Sequence, residues 1–406
     1  MPRQTLRKVL IIVENLPVPF DRRVWMEART LRDAGYQVSI ICPTGKGYDA
    51  THEVIEEIHI YRHTLPTEGN GLMGYIAEYG SALFAELRLA LRIAFTRGFH
   101  VIHACNPPDL IFLVAALFRP FGKRFLFDHH DLCPELFETK FGTRGLQYKA
   151  MVWAERLTFA LAKVSIATNE SYKAIAVRRG HMKPEDVFVV RSGPELSKIK
   201  PGPARPELKQ GKRHLVGYVG VIGRQEGLDL LVDSAAWLRA QGREDIHYGI
   251  VGGGPELEFI KTYAREKGVA DLFTFTGRAP DDVLMDMLNT ADICVNPDRV
   301  DPMNDLSTMN KIMEYMALGK PIVQFDVKEG RFSAQDASLY ALANDPIDFA
   351  RKIAEVLDDP AKAAAMGRFG YERVHQHLGW DKERPKLLAA YDALFGAPYA
   401  ATRQTV

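Results

Sequence analysis

The sequence predicts an α/β protein built from two doubly wound parallel sheets that face each other across a cleft. Three observations carry this. Short β-branched runs alternate with helical stretches in both halves, the pattern of parallel strands joined by crossover helices. At 406 residues the chain is too long for one core and suits two domains of roughly 200 residues each. Between Ser192 and Arg213 the alternation stops in a segment carrying Pro194, Pro201, Pro203, Pro206, Gly193, Gly202 and Gly211, which reads as the linker. The domains are expected at residues 1–198 and 199–382.

The first half offers strands at Val9–Val13, Val38–Cys42, Val101–Ala104, Phe125–Asp128, Val164–Thr168 and Val187–Val190, with helices between them, notably Arg23–Ala34 and Tyr148–Leu161. The second half offers His214–Val219, His247–Val251, Phe273–Thr276, Ile293–Asn296 and Ile322–Phe325. Residues Ala400–Val406 read as a loose tail.

Composition narrows the function. With 47% hydrophobic and 25% charged residues the chain is an ordinary globular protein, and a net charge of +1 gives no indication of a nucleic-acid groove. Lys and Arg outnumber Asp and Glu by 27 to 21 over residues 1–200 and fall behind, 25 to 30, over the remainder. A mildly basic front half fits a phosphate-bearing acceptor or an anionic membrane surface, and also fits chance. Cys42, Cys105, Cys133 and Cys294 lack metal-ligand spacing and suit a reducing compartment, so the cytoplasm is expected. Val9–Val13 is too short for the apolar core of a signal peptide, and the run Leu110–Phe118 is too short to cross a bilayer. Leu72–Phe99, rich in Leu, Ala and Phe with Arg88, Arg92 and Arg97 near its end, suits an amphipathic helix at the inner face of the cytoplasmic membrane; core packing explains the same stripe.

In doubly wound sheets ligands bind beyond the carboxyl ends of strands, so the loops there carry the candidate chemistry. In the second half these are Gly220–Gly227, with Gly220 and Arg224; Gly252–Glu256, with Gly253 and Glu256; Gly277–Pro280, with Gly277 and Arg278; and Asp301–Pro321. The last is expected to start a helix at about Thr308, capped by Ser307, and to stop it at Leu318 before Gly319-Lys320-Pro321. Free N–H groups and the positive dipole end at Ser307–Thr308 can receive a diphosphate. Ser307, Asn310, Lys311, Glu314 and Leu318 share one face, which sets an ammonium near the phosphates and a carboxylate deeper, able to accept both ribose hydroxyls. An amphipathic surface helix with a Lys/Glu pair accounts for the same residues. In the first half, Asp128-His129-His130-Asp131 follows a strand, and its His–Asp pair can bind a sugar hydroxyl or move a proton, or simply cap the sheet. Arg22 and Arg23 can hold an acceptor phosphate, or pair with Glu27 on the helix surface.

These segments resemble glycosyltransferase family 4, retaining nucleotide-sugar enzymes of the GT-B fold. The resemblance rests on FDRRVWMEARTLRDAGYQVSIICP, HACNPPDL, FDHHDLCPELFE and VVRSGPE, then GYVGVIGRQEGLDLLVDSA, VGGGPELE, FTGRAPDDVLMDMLNTADICVNP and STMNKIMEYMALGKPIVQFD, in matching order and spacing. It is strongest to the bacterial branch that builds O-antigen, capsule and exopolysaccharide, including L-fucosamine transferase-like proteins. It implies two Rossmann-like domains, the first for acceptor and the second for donor, and a C-terminal helix at about 383–396 packed back on the first. It implies ribose binding by Glu314, contact with the base by Gly277–Ala279, a donor loop at Gly253–Glu256, and contact of His130 with the donor sugar. Three departures stand out. The first Glu of the family's paired-Glu motif falls at Leu306, leaving Asp305 or Asn304 as replacements. The usual diphosphate-binding Arg and Lys fall at Val221 and Glu226, leaving Arg224 and Lys311. Asp21-Arg22-Arg23 stands where an acceptor loop rich in glycine is usual.

The expected activity is retaining transfer of a sugar from a nucleoside diphosphate to a glycan, one growing on a polyprenyl diphosphate, with no metal and no cofactor. His130, Asp131 and Glu314 are the expected catalytic residues. A nucleotide-sugar epimerase, for which His130, Asp131 and Asp305 supply acid and base, and a non-catalytic partner subunit, suggested by Leu306 and Glu226, are the alternatives.

Overall fold

The computed structural model describes residues 6–64 and 71–396; the tail expected at Ala400–Val406 lies outside them. The chain forms two compact units, one running to Ser192 and resuming at Glu383, the other Gly193–Lys382. The boundary lies ahead of the expected residue 198 because Gly193 sits against the far end of the second unit, where a Cβ would come 2.1 Å from Leu378 O.

In chain order the first unit carries β1 (Lys8–Ile12), α1 (Arg22–Asp33), β2 (Gln37–Pro43), β3 (His52–Ile55), β4 (Ile58–His63), α2 (Gly71–Thr96), β5 (Val101–Cys105), α3 (Phe112–Phe118), β6 (Arg124–His129), α4 (Cys133–Phe141), α5 (Leu146–Leu161), β7 (Val164–Ala167), α6 (Glu170–Arg178) and β8 (Val187–Val189). Its eight strands lie in the order β3-β4-β2-β1-β5-β6-β7-β8, parallel except for the β3–β4 hairpin. Central β1 is covered on both faces, with Val9 to Ile12 all buried, so it reads as an unbroken apolar run. The hairpin was not expected. Its turn is Glu56-Glu57, both at positive φ (48° and 64°), where Asn-Gly would be the usual signal.

The second unit carries β9 (His214–Val219), α7 (Leu228–Ala240), β10 (Ile246–Val251), α8 (Leu257–Glu266), β11 (Phe273–Gly277), α9 (Asp281–Thr290), β12 (Ile293–Asn296), α10 (Asn310–Ala317), β13 (Ile322–Phe325), α11 (Lys328–Ala334), β14 (Ser338–Ala341), α12 (Pro346–Asp358) and α13 (Pro360–Arg373). The order is β11-β10-β9-β12-β13-β14, all parallel. Strand β14 was also unexpected: it is an edge strand with only its two ends fully buried, so its sequence, Ser-Leu-Tyr-Ala, carries little apolar signal. Alternate residues of β9 serve two cores. Val216 and Tyr218 pack with α7, α8 and α12, and Leu215 packs with α9 and α10.

Helix α14 (Trp380–Phe395) ends on the first unit. Glu383 accepts the Arg191 N–H at 2.9 Å, Tyr391 Oη lies 2.9 Å from His103 Nδ1, and the Phe395 ring is flanked by the guanidinium groups of Arg7 and Arg124.

Candidate functional site

In the second unit β9 pairs with β10 on one side and β12 on the other, so strand order reverses there and a crevice is expected beyond their carboxyl ends. The glycine loops meet at this edge. Gly252, at φ 145°, runs so close to the β9 loop that a Cβ would fall 1.8 Å from Gly220 O, and one on Gly254 would fall 2.3 Å from Ile222 O. Backbone bonds lace them: Gly220 N–H to Val251 O, Ile222 N–H to Gly253 O, Glu256 N–H to Ile222 O and Gly252 N–H to Gly277 O, all at 2.9 to 3.1 Å. Gly277 is at φ 66° with open space at its Cβ position, and exposed Arg278 follows, its N–H nitrogen 3.7 Å from where a Gly253 Cβ would be. Glu256 stands at the N-cap position of α8. Three of the predicted loops therefore form one hydrogen-bonded rim.

The fourth completes it, with a correction. Ser307 does not cap the helix. Asp301 Oδ1 accepts the N–H groups of Met303 and Asn304, a short 3₁₀ turn follows at Asn304–Leu306, and the Ser307 hydroxyl donates back to Met303 O at 2.8 Å. Helix α10 therefore begins at Asn310 after extended Met309, so its free N–H groups lie about two residues beyond Ser307–Thr308. Its end is as expected, with Gly319 at φ 66° and its N–H on Met316 O.

Helix α10 delivers Lys311 to the switch point. Its Nζ lies 2.7 Å from Asp298 Oδ1 and 4.8 Å from the Tyr218 ring centre, and 3.6 Å from where a Gly220 Cβ would stand. Asp298, which follows β12, is 2% exposed. Burial pushes its carboxyl above the usual range, with Lys311 opposing; burial and Asp298 do the same to Glu226, whose Oε2 also accepts the Gly223 N–H at 3.1 Å. Glu226 thus shapes its own loop. Glu314, one turn beyond Lys311, is half-buried, and Arg224 is exposed.

The proposed stand-ins for the missing first Glu are otherwise engaged. Asp305 Oδ1 accepts the Lys328 N–H that opens α11, and buried Asn304 donates to the carbonyls of Gln225 and Arg299. Both are braces. Sequence reasoning passed over Asp298 and Arg299; the latter ties the rim to α7 through Asp229 and donates its N–H to Gln225 O. Position was the available signal, since both directly follow β12.

In the first unit, buried Asp128 is the hub. It accepts from Arg23 Nη2 at 3.0 Å and lies 2.6 Å from His130 Nε2 and 3.3 Å from His103 Nε2. Burial works against its ionisation, but Arg23 and His130 outweigh that and hold its carboxyl well below the usual range. Burial and Asp128 together push Glu27 well above it. His130 Nε2 is also 2.9 Å from Arg23 Nε, which can only donate, so that ring nitrogen either accepts from Arg23 or donates to Asp128. The loop is set by Asn106, whose Oδ1 accepts the N–H groups of His130 and Asp131 and whose Nδ2 donates to Asp131 O. Burial raises the Asp131 carboxyl.

Two acceptor candidates need correction. Arg23 is buried and spends its guanidinium on Asp128, Val190 O and Ser192 Oγ, and its pairing with Glu27 is internal, not on the surface. Asp21 is the N-cap of α1, accepting the Val24 N–H at 3.1 Å. Arg22 is exposed. Among the described residues one group could ligate a metal, Glu27, Cys105, Asp128 and His130. It fits poorly: the Arg23 cation already stands on Asp128 and His130, and burial pushes the Cys105 thiol far up.

Residues 21–198 match a family model described as Glycosyltransferase Family 4, and residues 213–359 match one described as Glycosyl transferases group 1. The chain is 30% identical over 204 residues to a GDP-mannose-dependent alpha-(1-6)-phosphatidylinositol monomannoside mannosyltransferase of Mycobacterium tuberculosis, covering 48% of this chain and 53% of that one. It spans about half the length of the curated relatives it matches. Sucrose-phosphate synthase from Thermosynechococcus elongatus superposes with a TM-score of 0.80 at 20% identity, over 96% of this chain and 99% of that one. HepE from Anabaena, solved with UDP and glucose, gives 0.73 at 14% identity, over 95% and 99%. A glycosyltransferase family model thus matches part of each unit, and the two-sheet architecture is that of the GT-B fold.

Proposed function

We propose that this protein transfers a sugar from a nucleoside diphosphate to a hydroxyl of a glycan carried on polyprenyl diphosphate, in bacterial surface polysaccharide synthesis. The observation that carries the donor half is Lys311, set at the switch point over laced glycine loops and beside the start of α10. A diphosphate leaving group gathers negative charge as its bond to the sugar breaks, and an ammonium with oriented N–H groups stabilises that charge without reorganising. Glu314, on the same helix face, binds the ribose hydroxyls. Arg224 and Arg278 add positive charge to the rim. The first unit takes the acceptor, with His130 and Asp131 on the loop that Asn106 holds and Arg22 beside it. Support for a nucleotide-sugar donor comes from the matches above, among them a GDP-mannose-dependent enzyme and a protein solved with UDP.

The reading includes retention of configuration and no metal, since the chain supplies its own cations. Glu314→Ala should bind the nucleotide sugar roughly tenfold to a hundredfold more weakly with an unchanged unfolding midpoint, as expected for lost bonds to a charged acceptor. Unchanged affinity in calorimetry would remove the ribose role. Wild-type transfer to a lipid-linked acceptor should survive a chelator and give the anomeric configuration of the donor; inversion, or isomerised donor with no acceptor present, refutes the mechanism.

A further inference from the structure

Helix α2 carries two stripes. Ala82, Glu86, Leu89, Ala90 and Ile93 are buried on the sheet side. The opposite side is uncovered: Phe84 is 70% and Phe95 87% exposed, with Leu91, Arg88 and Arg92 exposed among them. The spacing 84, 88, 91, 92, 95 is one helix face. Neighbouring α3 extends the surface. Phe99, just after α2, stacks edge-on against Phe118 of α3 at 5.1 Å, and α3 and the turn after it leave Leu113, Leu117 and Phe121 exposed. Helix α5, packed against α3, leaves Trp153 exposed at 63%.

Charge on this layer is sorted by depth. Among the described side chains of α2, α3, α5 and the short turns flanking α3, the acidic ones, Glu86, Asp109 and Glu155, are buried. The basic ones, Arg88, Arg92, Arg119, Lys149 and Arg156, are exposed. Two adjoining hollows continue this surface with a cationic excess, one lined by Arg119, Lys123 and Arg124 and the other by Arg156, Lys183 and one acid, Asp186, with Lys163 shared. Large apolar side chains interleaved with cations, with no exposed acid among the described side chains of α2, α3 and α5, complement a plane that is apolar inside and anionic outside. No helix among the described residues is long and apolar enough to cross a membrane.

We infer that the outer face of α2 and α3 is a docking surface for an anionic phospholipid bilayer. Phe84, Leu91 and Phe95 enter the acyl boundary, and Arg88, Arg92 and Arg119 meet headgroup phosphates. The surface stands on its own geometry and does not depend on the sugar-transfer reading.

Sedimentation with vesicles tests it, with neither donor nor acceptor present, so its failure leaves that reading untouched. The full chain should pellet with vesicles of equal parts phosphatidylcholine and phosphatidylglycerol, and stay in solution with phosphatidylcholine alone or at high salt. R88Q/R92Q should weaken partitioning about thirtyfold, at the usual attraction per basic residue near such a surface. F84S/L91S/F95S should abolish it. Both variants should keep the wild-type unfolding midpoint without lipid. Failure of the wild type to pellet with anionic vesicles overturns the inference, as does full binding by the triple variant. A wild-type dimer that the triple variant loses, with vesicles ignored by both, assigns the face to a second copy of the chain and also overturns it.

Discussion

Replacing Lys311 separates its structural task from its proposed chemical one. At 2.7 Å from Asp298 Oδ1, the ion pair has a gross attraction of about 6 kcal/mol at an effective dielectric of 20. Most of that offsets the desolvation of Asp298, which is 2% exposed. Lys311→Met strands this carboxylate, and removing one partner of a buried pair costs about 3 to 5 kcal/mol. Because Lys311 is 12% exposed and water can reach the gap it leaves, a loss near 3 kcal/mol is expected. Asp298→Asn in the same chain removes the stranded charge and should restore most of the stability. Donor binding should not follow. An ammonium missing from the diphosphate costs roughly tenfold to a hundredfold in affinity, in the single and the double variant alike. Asp298→Asn alone should bind donor at least as tightly as wild type, its ammonium released from the pair. Urea unfolding and calorimetry with the nucleoside diphosphate read the two quantities separately. If the double variant regains donor affinity along with stability, Lys311 serves only the fold and the phosphate assignment is wrong.

Two other changes test the rim and the first unit. Gly252→Ala sets a methyl 1.8 Å from Gly220 O at φ 145°, so the β9 and β10 loops must part; a loss of about 1 to 3 kcal/mol and of measurable donor binding is expected, and wild-type affinity would show that the lacing does not shape the site. Asp109, 5% exposed, has its carboxyl raised by burial from 3.8 to about 7. An acid raised on folding carries no penalty below its unfolded value and an increasing one as pH rises to the folded value. Wild type should therefore lose stability relative to Asp109→Asn between about pH 4 and 7, by ~4 kcal/mol at most, and track it above. Parallel curves across that range would mean that Asp109 stays ionised in the folded protein.

Much of the second unit was legible in sequence because its strands are central and apolar and its loops are marked by glycine. Strands His214–Val219, Ile293–Asn296 and Ile322–Phe325 have the expected bounds. The β3–β4 hairpin was hidden because Glu56-Glu57 adopts a conformation that its residue types do not advertise. Ser307 misled for a related reason. It has the chemistry of an N-cap, but Asp301 captures the backbone first and draws it into a 3₁₀ turn, so the helix starts later.

Local order in the chain determined the alternation of strand and helix, the loop that follows each strand, and the residue types at each loop. Those follow from periodicity and turn chemistry, which act over a few residues. Partnership was decided only by tertiary structure. Arg23 and Asp128 are far apart in sequence and become one buried pair, which takes Arg23 away from any acceptor. Asp298 is set against the Lys311 ammonium, and Asp305 against the backbone N–H of Lys328. A charged side chain takes the partner that folding brings within hydrogen-bond reach, because burial makes an unpaired charge costly, and sequence spacing carries no record of which partner that will be.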